Sequence, residues 1–520
     1  MDKIIIILVA LYRYQNFPVR IMHPLLKKID GIEIHTIFFK DSYGNIFDLP
    51  TYREEKLFVD LITRLNPKLV GFSVLSPYAP IAKRLTKLVK DNSSSLVLWG
   101  GIHPTIFPED CINETDILCV GEGEGAITDL VKCLRDGKSY GSINNLWVKN
   151  KDNIIKNPMR LLIQNLDSIP FPSYGDSAYY FIDSGKITKT DPLPSYGEFW
   201  VQSSRGCPHS CSYCVNSLLH PLFKDIGPYI RRRSVNSVIT EIKEHLCIPR
   251  SRTSYINFSD EGFGTEESWL DEFELRYKKE VGMPFFVEYN PKNIRSTLLG
   301  KLVSAGLDTV NIGIQTGSDH IRNQIFHRPG KNNELIDLAK KISEHNVKIK
   351  YDLILDNPYE TGQSLKDTIE LLLKLPLPLN FHLTSLQYFP NYPLTKMAIE
   401  DKHIKPEEAR VDSLMKRTPE NWSYVPRLLP YTKKQIFQNI IWLITNNRIK
   451  GKIVKFSIFG DSLSSKLCLN YLNLRSIILG KMLGAGGLVS RNPWILYILK
   501  DDFKTIYLKI RKRVLNKKHK

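Results

Sequence analysis

Short runs of β-branched and aromatic residues alternate with amphipathic stretches over residues 1–150, and this alternation constrains the fold more than any other feature of the chain. Strands that alternate with helices build a mostly parallel sheet with helices on both faces. Residues 1–150 are therefore predicted to form a doubly wound, Rossmann-like α/β domain. The strand-like runs are IIIILVAL, IEIHTIFF, LVGFSVLS, LVLWGG and DILCVGEG.

Three of these runs end in glycine or other small residues. Ligands of parallel sheets bind at the carboxyl ends of the strands, so these turns are predicted to line one site. The turn VGEGEGA could be mistaken for a dinucleotide fingerprint, but its spacing is G-x-G-x-G and its glutamates would repel a pyrophosphate. The turns contain Ser73, Ser76, Gly100, Gly101, His103 and residues 121–125.

The rest of the chain divides into three parts by composition and pattern. Residues 151–195 are dense in Pro, Gly, Ser and Asp, which is typical of a linker. Six strand-like runs with helical segments between them follow over residues 196–400, and they predict a partial (β/α)6 barrel whose site lies at the C-terminal ends of its strands. Residues 401–520 are predicted to form a mostly helical, basic extension.

Three of the eight cysteines form a C-x3-C-x2-C cluster with no fourth cysteine nearby: Cys207, Cys211 and Cys214. Four thiolates would close a zinc or ferredoxin site, whereas three bind three irons of a [4Fe-4S] cluster and leave one iron open. A zinc site completed by His209 or His220 is the alternative. The scattered positions of the other cysteines indicate a reducing compartment, and hence a cytoplasmic protein.

The cluster and its surroundings resemble the radical S-adenosylmethionine (SAM) enzymes over about residues 196–390. Their hallmark is C-x3-C-x-aromatic-C, and Tyr213 is the aromatic residue here. The segment FSDEGF is similar to the family's F-x-D-D/E-x-F, and IGIQTGSD is similar to I-G-I-E-S-G-S. This chain departs from the family pattern at two places. It has DNPYET where relatives commonly have G-x-P-G-E-T, and Gln315 where they have Glu.

The resemblance implies that the three cysteines hold the [4Fe-4S] cluster and that its open iron binds SAM. Reductive cleavage of SAM then gives methionine and a 5′-deoxyadenosyl radical. The SAM-binding residues that the resemblance implies are Tyr213, Asp260, Glu261 and Gln315. Two alternatives stay open: Asp260 and Glu261 could be exposed turn acids that cap a helix, and Arg231 to Arg233 could flank a helix or bind an anionic group.

The N-terminal half resembles the cobalamin-binding domain of one large branch of radical SAM proteins, through VGFSVLSP, WGGIHPT, DILCVGEGEGAITDLV and NLDSIPFPSY. The D-x-H-x-x-G motif that supplies an axial histidine to cobalt is absent. Cobalt would then bind without a protein imidazole, or the domain would have kept only its fold. The implied cobalamin-binding residues are Ser73, Gly100, Gly101, His103, Gly121, Glu122, Gly123 and Glu124.

The resemblance implies a cobalamin-dependent radical SAM enzyme that methylates an unactivated carbon and takes electrons from an external reductant of the flavodoxin or ferredoxin type. The alternatives are a cyclase or oxidoreductase without methyl transfer, a SAM-only enzyme with a relic cobalamin domain, and a non-enzymatic electron carrier. No nucleic-acid module is recognised. The net charge of +18 is uneven, because segment 504–520 holds eight Lys or Arg and no acid; the segment is either a solvated tail or a contact for anionic lipid or nucleic acid. The substrate is expected to be a small molecule or a lipid, and the basic C-terminus would allow peripheral membrane contact.

Overall fold

The computed structural model describes residues 3–41, 49–150, 153–193, 197–248, 251–264, 266–291, 296–411, 424, 432–445, 451–459 and 463–484. The first part of the chain forms a nine-stranded sheet with helices on both faces. Its elements are β1 (Ile4–Leu11), α1 (Phe17–Lys27), β2 (Ile32–Phe39), α2 (Tyr52–Leu65), β3 (Leu69–Ser73), α3 (Ala79–Asn92), β4 (Leu96–Gly100), α4 (Ile102–Ile106), α5 (Pro108–Cys111), β5 (Ile117–Cys119), α6 (Glu124–Asp136), β6 (Leu146–Asn150), β7 (Asn153–Lys156), β8 (Tyr179–Asp183) and β9 (Lys186–Thr188).

The strand order of this first sheet is β7-β6-β5-β4-β3-β1-β2-β8-β9. The strands from β5 to β8 in this order are parallel, and β6, β7 and β9 join the edges antiparallel. The apolar strands β1 and β2 are buried along almost their whole length, with one hydrophobic cluster on each face of the sheet. The predicted doubly wound fold is confirmed, and its direction reverses between β1 and β3.

The segment 151–195, predicted as a linker, also contributes structure to this sheet. It contains β7, which extends one edge, and β8 and β9, which extend the other. A buried ion pair between Arg20 of α1 and Asp191 (2.7 Å) fixes the end of the segment to the first domain. The segment is therefore part of that domain as well as a connection.

The second part of the chain is a half-barrel built on a six-stranded parallel sheet of order β10-β13-β14-β15-β16-β17, which confirms the predicted (β/α)6 arrangement. A separate antiparallel pair, β11 with β12, lies beside it. The elements are β10 (Glu198–Val201), β11 (Ser204–Arg205), α7 (Asn216–Phe223), β12 (Arg231–Arg232), α8 (Val235–Leu246), β13 (Tyr255–Phe258), α9 (Glu267–Glu280), β14 (Phe285–Tyr289), α10 (Ser296–Ala305), β15 (Leu307–Gln315), α11 (Asn332–Glu344), β16 (Lys348–Leu355), α12 (Gly362–Leu372), β17 (Phe381–Ser385) and α13 (Pro393–Glu400).

Three further helices are described after the half-barrel: α14 (Lys433–Thr445), α15 (Gly451–Phe459) and α16 (Leu463–Gly484). Apolar residues of α14 join the core of the half-barrel, so the described part of the extension packs on it. The basic segment 504–520 lies outside the described residues. None of the helices in the described ranges is long and apolar enough to cross a membrane.

Candidate functional site

The three-cysteine loop follows the first barrel strand and lies between β11 and β12. Arg205 pairs with Arg231 across these two strands, and Cys207 comes two residues after Arg205. Gly206 between them has a φ of +94°, and a Cβ at this position would lie 2.3 Å from the carbonyl oxygen of Tyr229. Only glycine fits this close approach in this conformation. The start of the loop is therefore fixed to the backbone of the strand opposite.

The thiols lie in surroundings that suit a bound cation. Cys211 is buried and Cys207 and Cys214 are half-buried, and burial raises the pKa of Cys207 to about 12. A metal ion removes such a proton, because thiolates are the form that binds it. Arg328 Nη1 approaches the Cys211 sulfur at 3.7 Å, and Asn216 Nδ2 approaches the Cys214 sulfur at 3.6 Å. Such donors stabilise thiolate ligands.

The positions of the thiols bear on the choice between a single metal ion and a cluster. Among the described residues, no three His, Cys, Asp or Glu side chains converge as ligands of a single metal ion do. An iron–sulfur cluster does not require that convergence, because each thiolate binds a different iron. His220, one of the two candidate ligands of the zinc alternative, donates from Nε2 to the Cys207 carbonyl at 2.7 Å.

The two acidic residues after β13 have different surroundings. Asp260 is completely buried and accepts hydrogen bonds from the Ser203 backbone N–H (3.2 Å) and hydroxyl (3.0 Å) and from the Ser204 hydroxyl (2.5 Å). Its carboxylate therefore holds the segment that leads into the cysteine loop. Glu261 is exposed, so of the two it is the carboxylate that solvent and a ligand can reach.

Glu261 is connected to the loop through one asparagine. Asn216 Nδ2 donates to Glu261 (3.0 Å), and the Asn216 carbonyl oxygen accepts from the Tyr229 hydroxyl (2.5 Å). Although Glu261 is accessible, the protein around it restricts its hydration and raises its pKa. A positively charged ligand group would favour the charged form of this carboxylate.

The other two residues predicted to bind SAM lie on either side of the loop. The Tyr213 ring packs edge-on against Phe326 (4.8 Å between centroids) within an apolar cluster, so it anchors the loop from behind. Gln315 ends β15 with a φ of +66°, and its amide nitrogen lies close above Gly313, as does Arg328. Arg328 also donates to the Gly313 carbonyl from Nε (3.2 Å) and Nη2 (2.9 Å). The sequence interpretation did not single out Arg328.

Alternate side chains of the barrel strands point into the lumen. Phe285, Val287 and Tyr289 of β14 join the core beneath the helices, which leaves Glu288 on the other face of the strand. Asn311 on the next strand donates to Asp352 at 2.6 Å. Burial, with the Asp352 carboxylate as the next cause, raises the pKa of Glu288 to about 7. The lumen is thus lined by hydrogen-bonding groups that sequence periodicity alone did not reveal.

The carboxyl edge of the first sheet brings the predicted cobalamin-binding residues together. Ser73 ends β3 and accepts a hydrogen bond from Asn16 after β1 (3.1 Å), across the point where the sheet reverses direction. Gly100 ends β4, and Gly101 has a φ of +102°, where a Cβ would lie 3.0 Å from the Val74 carbonyl oxygen. Small residues and a reversal point are what a large planar ligand needs at such an edge.

His103 lies in the same edge but is buried. Its Nδ1 is 3.1 Å from the Ser76 hydroxyl, and burial lowers its pKa to about 4. The imidazole is therefore neutral at pH 7.

The predicted residues of the β5–α6 turn reach across to the half-barrel. Glu122 forms ion pairs with Arg205 (2.8 Å) and Arg231 (2.9 Å), and Glu124 pairs with Arg205 (2.6 Å). Burial alone would raise the pKa of Glu122, but the two arginines hold it below its usual value. Gly121 and Gly123 belong to the same turn. The carboxyl edge of the first sheet and the cysteine loop of the half-barrel are therefore held side by side.

Two family models match the chain, one for each domain. The model described as the B12 binding domain matches residues 6–131, and the model described as the Radical SAM superfamily matches residues 201–372. They cover most of β1 and all of β2 to β5 in the first sheet, and β13 to β16 in the second. At the level of the domains they confirm the predicted cofactors: a [4Fe-4S] cluster, SAM and cobalamin.

Curated relatives match over about three fifths of this chain. An uncharacterized methyltransferase of Pyrococcus horikoshii is 28% identical over 61% of this chain and 66% of its own length. An anaerobic magnesium-protoporphyrin IX monomethyl ester cyclase of Rubrivivax gelatinosus is 23% identical over 64% of this chain and 58% of its own length. The chain thus spans about three fifths of the length of the curated relatives it matches.

Solved structures agree with the fold. The radical SAM methyltransferase TsrM from Kitasatospora setae, with cobalamin and a [4Fe-4S] cluster bound, is 13% identical with a TM-score of 0.60 over 93% of this chain and all of that one. The cobalamin-dependent radical enzyme OxsB is 16% identical with a TM-score of 0.64 over 97% of this chain and 76% of that one. With its two matched domains in this order and this fold, the chain belongs to the radical SAM proteins that carry an N-terminal B12-binding domain.

Proposed function

We propose that the chain is a cobalamin-dependent radical SAM enzyme that methylates an unactivated carbon of a small molecule. The observation that supports this most is the set of ion pairs by which Glu122 and Glu124, at the carboxyl edge of the B12-binding sheet, hold Arg205 and Arg231 beside the three-cysteine loop. SAM on the open iron supplies a radical that removes hydrogen from carbon, and cobalamin supplies a methyl group that can join a carbon radical.

In this proposal the chain's own residues bind and orient the cofactors. Cys207, Cys211 and Cys214 hold the cluster. Glu261 accepts a hydrogen bond from the ammonium group of SAM, since it is the accessible carboxylate beside the loop. Small residues of the first sheet's edge, among them Ser73, leave room for the corrin. Tyr213 and Asp260 act from behind the loop, as positioning residues, because both are committed to protein contacts.

The lumen favours a substrate with hydrogen-bonding groups. Glu288, Asn311, Asp352 and His382 are polar or charged, and they lie on the strands that surround the space beside the cysteine loop. Such a lining is a poor fit for a purely apolar chain, because an apolar ligand would take these groups out of water without offering them hydrogen bonds. This supports a polar small molecule, whereas the lipid alternative depends on a basic segment outside the described residues.

A second candidate is a cyclisation or oxidation without methyl transfer. It is favoured by the match to the Rubrivivax gelatinosus cyclase, which is as extensive along this chain as the match to the methyltransferase of Pyrococcus horikoshii. Both candidates use the same domains, so the products must decide between them.

The test is anaerobic reconstitution with iron, sulfide and hydroxocobalamin, followed by desalting and metal analysis. The proposal expects about one cobalt and four irons per chain. Incubation with SAM, a strong one-electron reductant and a small-molecule extract should then give equal amounts of S-adenosylhomocysteine, 5′-deoxyadenosine and a methylated product. Each turnover consumes two SAM molecules and two electrons. The Cys211→Ala variant is the control for cluster-dependent products.

Each alternative outcome has a distinct meaning. Formation of 5′-deoxyadenosine and a new product without S-adenosylhomocysteine would favour the second candidate. A chain with four irons and no cobalt would contradict cobalamin dependence and leave a SAM-only enzyme. Failure to cleave SAM with a full cluster would leave only an electron carrier.

A further inference from the structure

The ion pairs between the two domains form one connected group. We propose that Glu122, Glu124, Arg205 and Arg231, here called the interdomain clamp, position the cluster loop relative to the B12-binding edge. This inference rests on the proposed function, because it concerns the spacing of the two cofactor sites of that function. The four residues are positioning residues, since their charged groups are bound to one another.

The clamp is neutral and largely shielded from solvent. Its two carboxylates face two guanidinium groups at 2.6 to 2.9 Å, and the side chain of Arg231 is only 5% exposed and that of Glu122 14%. Ion pairs with this degree of burial are weakly screened by salt. Removal of one partner leaves a charge that the protein cannot easily hydrate, so the clamp resists opening.

The clamp also ties a third segment to the interface. The backbone N–H of Ile163 donates to Glu122 at 2.7 Å, and its carbonyl accepts from Arg231 at 2.9 Å. Glu122 and Arg231 therefore hold both polar groups of one residue in the connection between the domains. These hydrogen bonds fix the direction of the connecting segment relative to the ion pair, as well as its distance from it.

The position of the clamp is transmitted to the cysteines through short, stiff contacts. Arg205 is separated from Cys207 only by Gly206, which has no room for movement toward the Tyr229 carbonyl. Tyr229 then donates to Asn216, whose amide approaches the Cys214 sulfur. A shift of the clamp must therefore move two of the three cluster ligands.

The other side of the clamp belongs to the β5–α6 turn. Glu122 and Glu124 alternate there with Gly121 and Gly123, which the resemblance places beside cobalamin. The segment from the end of β5 to the first residue of α6 thus combines two glycines with the two charges that reach the cluster loop. Since a displacement of about 1 Å costs on the order of 100-fold in rate for reacting groups, such a connection is functionally valuable.

The test compares Glu122→Gln with Glu109→Gln in the full-length, reconstituted protein. Glu109 pairs with Lys156 (3.3 Å) on the surface of the same domain and is 67% exposed, so it controls for loss of an ion pair away from the interface. The main readout is the magnetic coupling between cobalt(II) and the reduced cluster, measured by electron paramagnetic resonance. The second is the rate of the single burst of S-adenosylhomocysteine that forms when SAM transfers its methyl group to reduced cobalamin, a step that needs a strong reductant but no substrate.

Glu122→Gln should bind both cofactors but show a weakened or broadened coupling, and its S-adenosylhomocysteine rate should fall by about 10- to 100-fold. Glu109→Gln should match the wild type. Unchanged coupling and rate in a fully loaded Glu122→Gln protein would overturn the inference. If Glu122→Gln fails to fold, Glu122→Asp decides in the same way, since it keeps the charge but shortens the side chain.

Failure of the proposed function gives a different result. A wild-type chain that binds no cobalt contradicts the cobalamin-dependent reaction, whatever the variants do. The clamp is then judged by amide hydrogen exchange at Cys207, which should be faster in Glu122→Gln than in Glu109→Gln. Equal exchange in the two variants would overturn the clamp itself.

Discussion

Replacing Gly206 by alanine tests whether the cluster loop is held by a close backbone approach. Gly206 has a φ of +94°, and a Cβ there would lie 2.3 Å from the Tyr229 carbonyl oxygen. The left-handed conformation costs an alanine about 1 kcal/mol. Since ordinary contacts are at about 3.5 Å, β11 and β12 must also part by roughly 1 Å, an overpacking cost of about 1–3 kcal/mol.

Gly137 supplies a matched control. It also has a positive φ, of +64°, but a Cβ there would meet nothing within 4 Å. Gly137→Ala therefore carries the backbone cost without the collision. The difference between the two variants should be about 2 kcal/mol, which corresponds to roughly a 30-fold loss of cluster affinity if it falls on the loop.

The assay is iron retained after anaerobic reconstitution, in competition with increasing concentrations of an iron chelator. Gly206→Ala should lose its cluster at about 30-fold lower chelator concentration than Gly137→Ala, while the far-ultraviolet spectra of the two stay alike. Equal retention in both variants would refute the reasoning, because it would show that the approach of Gly206 to Tyr229 does not restrain the loop.

Three further predictions test separate parts of the site. Arg328→Gln should lower the midpoint potential of the cluster by about 60 mV in a redox titration, because it removes a cation 3.7 Å from the Cys211 sulfur. Arg328→Lys keeps the charge and should lower the potential less. Equal potentials in the wild type and Arg328→Gln would contradict this role. Asp260→Asn should destabilise the chain by about 2–4 kcal/mol in urea, since the new amide group cannot accept all three hydrogen bonds that Asp260 accepts. Glu261→Gln should instead weaken SAM binding and leave the stability unchanged. If Asp260→Asn weakened SAM binding and Glu261→Gln lowered stability, the two roles would be exchanged. The pKa values of the buried His23 and His103 and of the half-buried His245 are lowered to about 4 by burial, so the unfolded chain binds more protons at these positions, and each should lower stability by about 2 kcal/mol between pH 7.5 and pH 5. Carboxylates with a raised pKa, such as Glu288, act in the opposite direction over this range, so the test compares the wild type with His103→Gln. The stability of His103→Gln in urea should fall by about 2 kcal/mol less between the two pH values, and equal falls would be inconsistent with this.

The sequence was most informative where structure follows from local periodicity. Alternating runs predicted both parallel sheets, and three cysteines within one loop predicted the cluster site. Period and spacing are properties of neighbouring residues, so they can be read without knowing what packs against them.

Contacts between distant residues could not be predicted in this way. Arg328 is 117 residues from Cys211, and Arg231 is 109 residues from Glu122. The resemblance of FSDEGF to the family motif implied that Asp260 lies near SAM, but whether its side chain faces a cleft or Ser203 depends on how two strands meet. The strand β8 was missed because YYFID lies between turn-forming residues that are typical of a linker.

The strands in that segment also determine where the first domain can be separated from the rest. β8 covers β2, an almost wholly apolar strand, and β9 in turn covers β8. A fragment that stopped at residue 150 would leave β2 as an exposed edge strand with unpaired backbone groups, and it would be prone to self-association. The piece that could be expressed alone, or exchanged between relatives in a chimera, therefore extends to about residue 193, and it carries with it the Asp191 that anchors α1.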